Sequence, residues 1–221
     1  MDPWTDGEHA YAELQGSQGH LGGVSKLAEQ AKAMGAPPHW FAYVQVDDVD
    51  AKTAEAAALG GKIYVPPMDI PTVGRFSVIA DPQGASIALF KAANAYPDHD
   101  RTKHVEFNWQ ELATSDSAAA LAFYSQLFGW TLQAEHDMGP MGKYLLCGLN
   151  GKQESGIFNK PPNMPASAWI YYVKVDDLDG AIAAAGANGG KLIHGPQAIP
   201  GGGRIAQLFD PQGAVFALVG N

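Results

Sequence analysis

An internal repeat constrains this chain more than any other feature. Shifted by 129 residues, positions 40–90 lie on 169–219 without a gap. Trp40-Phe41-Ala42-Tyr43-Val44-Gln45-Val46-Asp47-Asp48 falls on Trp169-Ile170-Tyr171-Tyr172-Val173-Lys174-Val175-Asp176-Asp177. Gly60-Gly61-Lys62 falls on Gly189-Gly190-Lys191, Gly74-Arg75 on Gly203-Arg204, and Asp81-Pro82-Gln83-Gly84-Ala85 on Asp210-Pro211-Gln212-Gly213-Ala214. About half of the positions are identical over some fifty residues, so one structural unit is used more than once. Most shared residues are turn or packing types, so the repeat speaks for a shared scaffold before it speaks for shared chemistry.

The unit reads as strand, helix and three strands. Trp169 to Val175 is rich in aromatic and β-branched residues, as strands are. Asp176 or Asp177 can cap an Ala-rich helix, Leu178 to Ala187, that breaks at Asn188-Gly189-Gly190. A short strand, Lys191 to His194, a Pro/Gly connection from Pro196 to Gly203, and a hairpin closed by Asp210-Pro211-Gln212-Gly213 complete it. Residues 104–158 show the same order: a strand from His104 to Ala113, a helix capped by Thr114 or Ser115 and ending at Gly129, then three strands. Residues 92–103, with Pro97 and Asp98-His99-Asp100-Arg101, read as a linker. At a shift of 133, Tyr11 falls on Tyr144 and Gly23-Val24 on Gly156-Ile157. The counterpart of residues 104–133 is then absent. The expected organisation is an α+β protein of paired β-α-β-β-β units: residues 1–95 as an incomplete N-terminal domain lacking its first strand and helix, and 104–221 as a complete C-terminal one. A shortened product, a genuine deletion and completion by another chain all fit the missing piece. An exposed sheet edge there leads us to expect pairing in a homodimer, or aggregation.

Composition excludes several classes. Fourteen basic against 23 acidic residues give a net charge of −9, which argues against a general nucleic-acid binder. No apolar run reaches the roughly 18–20 residues needed to cross a bilayer. Met1-Asp2-Pro3-Trp4-Thr5-Asp6 lacks the basic stretch and apolar core of a secretory signal. The single cysteine, Cys147, forms no intramolecular disulfide and no Cys-based zinc site, which fits the cytoplasm.

Phe123-Tyr124-Ser125-Gln126-Leu127-Phe128-Gly129-Trp130 at a helix end, Val175-Asp176-Asp177 before the next helix and Asp210-Pro211-Gln212-Gly213 before the last strand resemble the vicinal oxygen chelate superfamily. That group includes glyoxalases, bleomycin-resistance proteins and extradiol dioxygenases. Trp109-Gln110-Glu111-Leu112 and the tandem organisation are similar to its Cfp30B-like subgroup, often labelled glyoxalase-like or hydroxylase. The resemblance implies a cupped sheet around a cavity, with four strand positions that hold His or Glu ligands in the metal-dependent members. Here those positions fall on Trp109, Ile157 or Phe158, Ile170 and Ala217, with Phe41 and Ala88 as counterparts of the last two in the first domain. We therefore expect no metal and no other cofactor.

Alternation along the strands selects what lines the cavity. Phe107, Trp109 and Glu111 share one phase, Ile170, Tyr172 and Lys174 another, and Phe41, Tyr43 and Gln45 a third; Val215, Ala217 and Val219 complete the lining. Such an aromatic and apolar set with few polar groups suits a small molecule. Glu111 is a candidate general base, against the plainer reading of a solvated carboxylate. Arg75 and Arg204 could hold an anionic group or form structural salt bridges. Tyr144 and Tyr11 could offer hydroxyls or merely pack, and Trp40 and Trp169 read as core. His99 reads as solvated, and His104 with Glu106 as a weak ligand pair on a strand. Ser125 and Cys147 show no base partner, and Gly201-Gly202-Gly203 lacks the setting of a phosphate loop. The leading expectation is metal-independent binding of a small molecule, as in sequestering resistance proteins. An enzyme of the glyoxalase, dioxygenase or hydroxylase kind, with an atypical metal or acid/base site, is the alternative. A scaffold protein with a filled cavity is the third.

Overall fold

The computed structural model describes residues 11–221; His9 and the segment Met1-Asp2-Pro3-Trp4-Thr5-Asp6 lie outside the described residues. A hairpin comes first, β1 (Tyr11–Gly16) and β2 (Gly19–Ser25), then a short helix α1 (Glu29–Ala33). Three β-α-β-β-β units follow. The first is β3 (Tyr43–Gln45), α2 (Val49–Ala58), β4 (Lys62–Ile70), β5 (Gly74–Ala80) and β6 (Ser86–Ala92). The second is β7 (Phe107–Thr114), α3 (Ser117–Phe128), β8 (Thr131–Asp137), β9 (Lys143–Gly148) and β10 (Ser155–Asn159). The third is β11 (Ala168–Lys174), α4 (Leu178–Ala187), β12 (Lys191–Ala198), β13 (Arg204–Phe209) and β14 (Val215–Gly220). In each unit the first strand pairs parallel with the last, and the remaining strands add antiparallel: β3-β6-β5-β4, β7-β10-β9-β8 and β11-β14-β13-β12. The expected α+β organisation is thus present.

Local chemistry explains the boundaries. Asp48, Asp116 and Asp177 each accept a hydrogen bond from the backbone three residues on, at Ala51, Ala119 and Gly180. That satisfies an otherwise orphaned donor at the start of α2, α3 and α4. For α3 this corrects the expected cap: Thr114 is still in β7, and Ser115 uses its own N–H to donate to Ser167. Gly129 ends α3 with φ 74°, the left-handed turn that glycine adopts without steric cost. In both Asp-Pro-Gln-Gly turns the aspartate Oδ1 accepts from two backbone N–H groups, Gln83 and Ala85 in one copy and Gln212 and Ala214 in the other.

Two strands depart from expectation. β7 starts at Phe107, not His104, so His104 and Glu106 sit in the turns before it. β12 continues to Ala198 through Pro196, because its pairing with β13 shifts register between Leu192 and His194 and again before Gln197. Those irregularities carry a residue that cannot donate to a ladder.

The chain divides into two compact units, each discontinuous in sequence. One comprises the chain up to Trp40, Asp98–Asn108 and Tyr171–Asn221. Its core gathers Val175, Leu178, Ala206, Leu208 and Leu218, flanked by Val173, Ile182 and Phe216. The other comprises Phe41–Pro97 and Trp109–Ile170. Fully buried there are Ile79, Leu89, Leu112, Tyr124, Leu127 and Ile157. Among the described residues no helix is long and apolar enough to cross a membrane.

Candidate functional site

The best-formed polar constellation lies on one face of β7, β10 and β9. Alternation along β7 turns Trp109 and Glu111 to the same side. Phe158 on β10 stands opposite Tyr144 on β9, and their rings stack at 5.8 Å. Trp109 Nε1 donates to the Tyr144 hydroxyl at 2.9 Å, and that hydroxyl donates to Glu111 Oε2 at 3.0 Å. A glycine makes room for the arrangement: a Cβ on Gly156 would lie 1.9 Å from Tyr144 Oη. Tyr11 seats over Gly23 in the same way, so the tyrosine-over-glycine pair recurs at the 133-residue shift.

Electrostatics follow from burial. Burial first, and then the nearby Glu111 charge, push the Tyr144 phenol well above its ordinary range, so it remains a donor at neutral pH. Glu111 is only 8% exposed, which overturns its reading as a solvated carboxylate. A buried carboxylate that accepts a phenol O–H can orient a ligand, or take a proton if a substrate displaces the phenol.

The other predicted residues separate into distinct surroundings. Phe41, Tyr43, Phe76 and Phe90 form an aromatic group on the β3-β6-β5 sheet, with Tyr43 at 5.4 Å from both Phe41 and Phe90. Tyr43 is 50% exposed there. Ile170 is buried. Tyr172 stands opposite Ala217 and accepts a hydrogen bond from Gln207 at 3.0 Å. Lys174 donates to the Val175 carbonyl and borders a shallow cavity with Thr102, Asn108 and Gly201-Gly202-Gly203. The Phe107 carbonyl accepts from Arg101. Arg75 binds Asp50 with two nitrogens and Asp69 with a third. Arg204 grips Asp179 with both terminal nitrogens. Both guanidinium groups thus hold the first turns of α2 and α4, where carboxylates also suit the helix dipole. Structural pairing, rather than an anionic ligand, accounts for them.

The positions that would hold a metal do not fit one. Trp109 offers an N–H already donated to Tyr144, and Phe158, Ile170 and Ala217 carry no side-chain acceptor. Among the described residues no three His, Cys, Asp or Glu side chains come together in a metal-binding group. Imidazole and carboxylate donors are what such ions require.

Several features were not anticipated. His99 is part-buried, not solvated: its Nδ1 lies 2.9 Å from Glu106 Oε2, and Glu106 is only 2% exposed. Trp169, read as plain core, donates to the Tyr124 hydroxyl, which donates to Asp81. Cys147 is buried on the opposite face of β9 from Tyr144, its thiol on the Ser155 carbonyl, and burial pushes its pKa up to about 12. Among the described residues no base is hydrogen-bonded to it.

Comparison with known proteins gives consistent matches. The sequence model of the Glyoxalase/Bleomycin resistance protein/Dioxygenase superfamily matches residues 4–89 and 101–218. CFP32 of Mycobacterium bovis, a glyoxylase candidate by name, is 36% identical over 186 residues, covering 84% of this chain and 70% of the relative. The anthracycline biosynthesis protein DnrV of Streptomyces peucetius is 31% identical over 191 residues, 84% of this chain and 66% of the relative. Among solved structures, the Mn(II)-bound glyoxalase of Novosphingobium aromaticivorans superposes with a TM-score of 0.64 at 18% identity, covering 98% of this chain and 72% of that one. Homoprotocatechuate 2,3-dioxygenase of Arthrobacter globiformis gives a TM-score of 0.63 at 13% identity, over 98% of this chain and 70% of that one. At such identities the structural matches speak for the fold alone.

Proposed function

The chain belongs to the glyoxalase/bleomycin resistance protein/dioxygenase superfamily, and from that premise we propose that it binds a small, partly aromatic molecule without a metal. The observation that carries this reading is the Tyr144 hydroxyl held between the Trp109 N–H and the Glu111 carboxylate on an aromatic face. The rings of Trp109, Tyr144 and Phe158 offer stacking area, and the Trp109–Tyr144–Glu111 chain offers polar groups that a ligand could engage by exchanging hydrogen bonds. The strand positions that bind metal in other superfamily members lack donors here, which supports the metal-free reading. The name of DnrV, tied to anthracycline biosynthesis, agrees with an aromatic ligand.

A thermal-shift screen of aromatic metabolites tests it. A binder present at 100 times its Kd should stabilise the fold by about 2.7 kcal/mol. Tyr144→Phe keeps the ring and removes the hydroxyl, and should weaken the same binder by about tenfold. One stoichiometric divalent ion in protein purified without chelators, lost in Glu111→Gln, would overturn the metal-free reading. A second reading has a specific observation behind it, since Glu111 is buried against a phenol and could serve as a base in an enzyme of this superfamily. Turnover of a glutathione hemithioacetal or a catechol, abolished in Glu111→Gln with binding retained, would favour that reading.

A further inference from the structure

The sequence holds two Asn-Gly dipeptides, Asn150-Gly151 and Asn188-Gly189, and the fold treats them in opposite ways. Asn188 ends α4 with its amide tied down. Its side-chain Nδ2 donates to the Ala184 carbonyl at 2.8 Å, and its backbone N–H is shared between the Ala184 and Ala185 carbonyls. The Gly189 N–H donates to the Gly186 carbonyl at 3.1 Å. Asn150 and Gly151, by contrast, form the tip of the turn that follows β9. Both have positive φ, 53° and 77°, as the two central residues of a type I′ turn require. One hydrogen bond closes that turn, from the Lys152 N–H to the Leu149 carbonyl at 2.9 Å. Among the described residues nothing binds the Asn150 amide or the Gly151 N–H, and residues 149–153 are all exposed. A Cβ built on Gly151 would meet nothing within 4 Å.

We propose that Asn150 is a self-modification site: the folded chain converts this asparagine to aspartate and isoaspartate while sparing Asn188. The deprotonated Gly151 nitrogen attacks Asn150 Cγ. The N–Cγ bond forms, the Cγ–Nδ2 bond breaks, and the amide leaves as ammonia. Water then opens the cyclic imide at either carbonyl, and nothing is oxidised or reduced. Glycine suits the attack because no side chain shields its nitrogen and its backbone turns freely. Nucleophile and leaving group must both move, which a turn closed by one exposed hydrogen bond permits. At Asn188 both groups are engaged, so the last turn of α4 has to open first. Each event adds a negative charge to a chain already at −9. The isoaspartate product also routes the main chain through a side-chain carbon. That extra atom falls in a cramped connection, where a Cβ on Gly148 would lie 2.1 Å from the Lys152 carbonyl oxygen. The connection joins β9, which carries Tyr144, to β10, which carries Phe158. The proposal stands on the turn alone and does not depend on a ligand at those residues.

The test incubates the whole chain in heavy-oxygen water at neutral pH over several weeks. Hydrolysis of the imide fixes a labelled oxygen at the modified residue, and peptide mass spectrometry reads each site. Electron-transfer fragmentation separates aspartate from isoaspartate. Asn150 should convert at least about tenfold faster than Asn188 in the folded protein. In protein unfolded by guanidinium chloride the two rates should agree within about twofold, because only the dipeptide is then left to set them. Asn150→Gly keeps a residue that accepts positive φ, and should remove the acidic form that isoelectric focusing resolves. Equal rates in the folded protein, faster conversion at Asn188, or no conversion at Asn150 while the unfolded chain converts, overturns the proposal. A gap that survives unfolding would trace the difference to sequence neighbours and overturn it too. An acidic form that persists in Asn150→Gly does the same.

Discussion

Asp81 carries the clearest single-residue consequence. It is almost fully buried, with Oδ1 on two backbone N–H groups and Oδ2 on Tyr124. Burial raises its pKa above the ordinary 3.8, although those hydrogen bonds pull the other way. A raised folded value means that its stabilising contribution is complete below about 3.8 and is lost as pH rises through the folded pKa. Relative to Asp81→Asn, the wild type should therefore lose stability as pH rises above about 4 and through the raised folded pKa, as urea unfolding at several pH values would record. A flat difference would mean that the carboxylate ionises in the fold as easily as in water. At this scale the sequence was only partly legible. Strand phase put Trp109 and Glu111 together, but their meeting with Tyr144 depends on a register between β9 and β10 that spacing does not specify. The His99–Glu106 pair was invisible, because its burial comes from turns with no periodic signal.

Elements were far more legible, because caps and turns are local chemistry. Every helix of the three repeat units begins where an aspartate can reach the third N–H beyond it. The error at α3 was a choice between neighbours. Asp116→Ala should cost about 1 kcal/mol, whereas Ser115→Ala should be nearly neutral, by chemical denaturation of each. Equal losses would place the cap at Ser115 after all. The course of β12 through Pro196 was not readable, since bulges that tolerate proline arise from pairing with β13 rather than from the strand's own residues.

For the whole molecule, the repeat predicted three similar units and the structure has them, down to the same strand order. What the repeat could not show is how equivalent residues come to differ. Trp169 and Trp40 occupy one place in two copies, yet the first donates to Tyr124 and the second finds no acceptor among the described residues. Trp169→Phe should lose a bond worth about 0.5–1.5 kcal/mol, while Trp40→Phe removes an unsatisfied donor and should be less costly or even stabilising. Denaturation midpoints of the two variants read the asymmetry, and equal shifts would deny it. Cys147 has a consequence of another sort. A chain with one thiol, sealed in an inner strand and held protonated, carries a built-in clock for its own openings. In the intact fold a thiol reagent finds nothing to attack, so each labelled molecule marks one excursion that opened the sheet at β9. The labelling rate at increasing reagent would then level off at the frequency of those excursions, and a bound ligand would slow it without touching the sulfur.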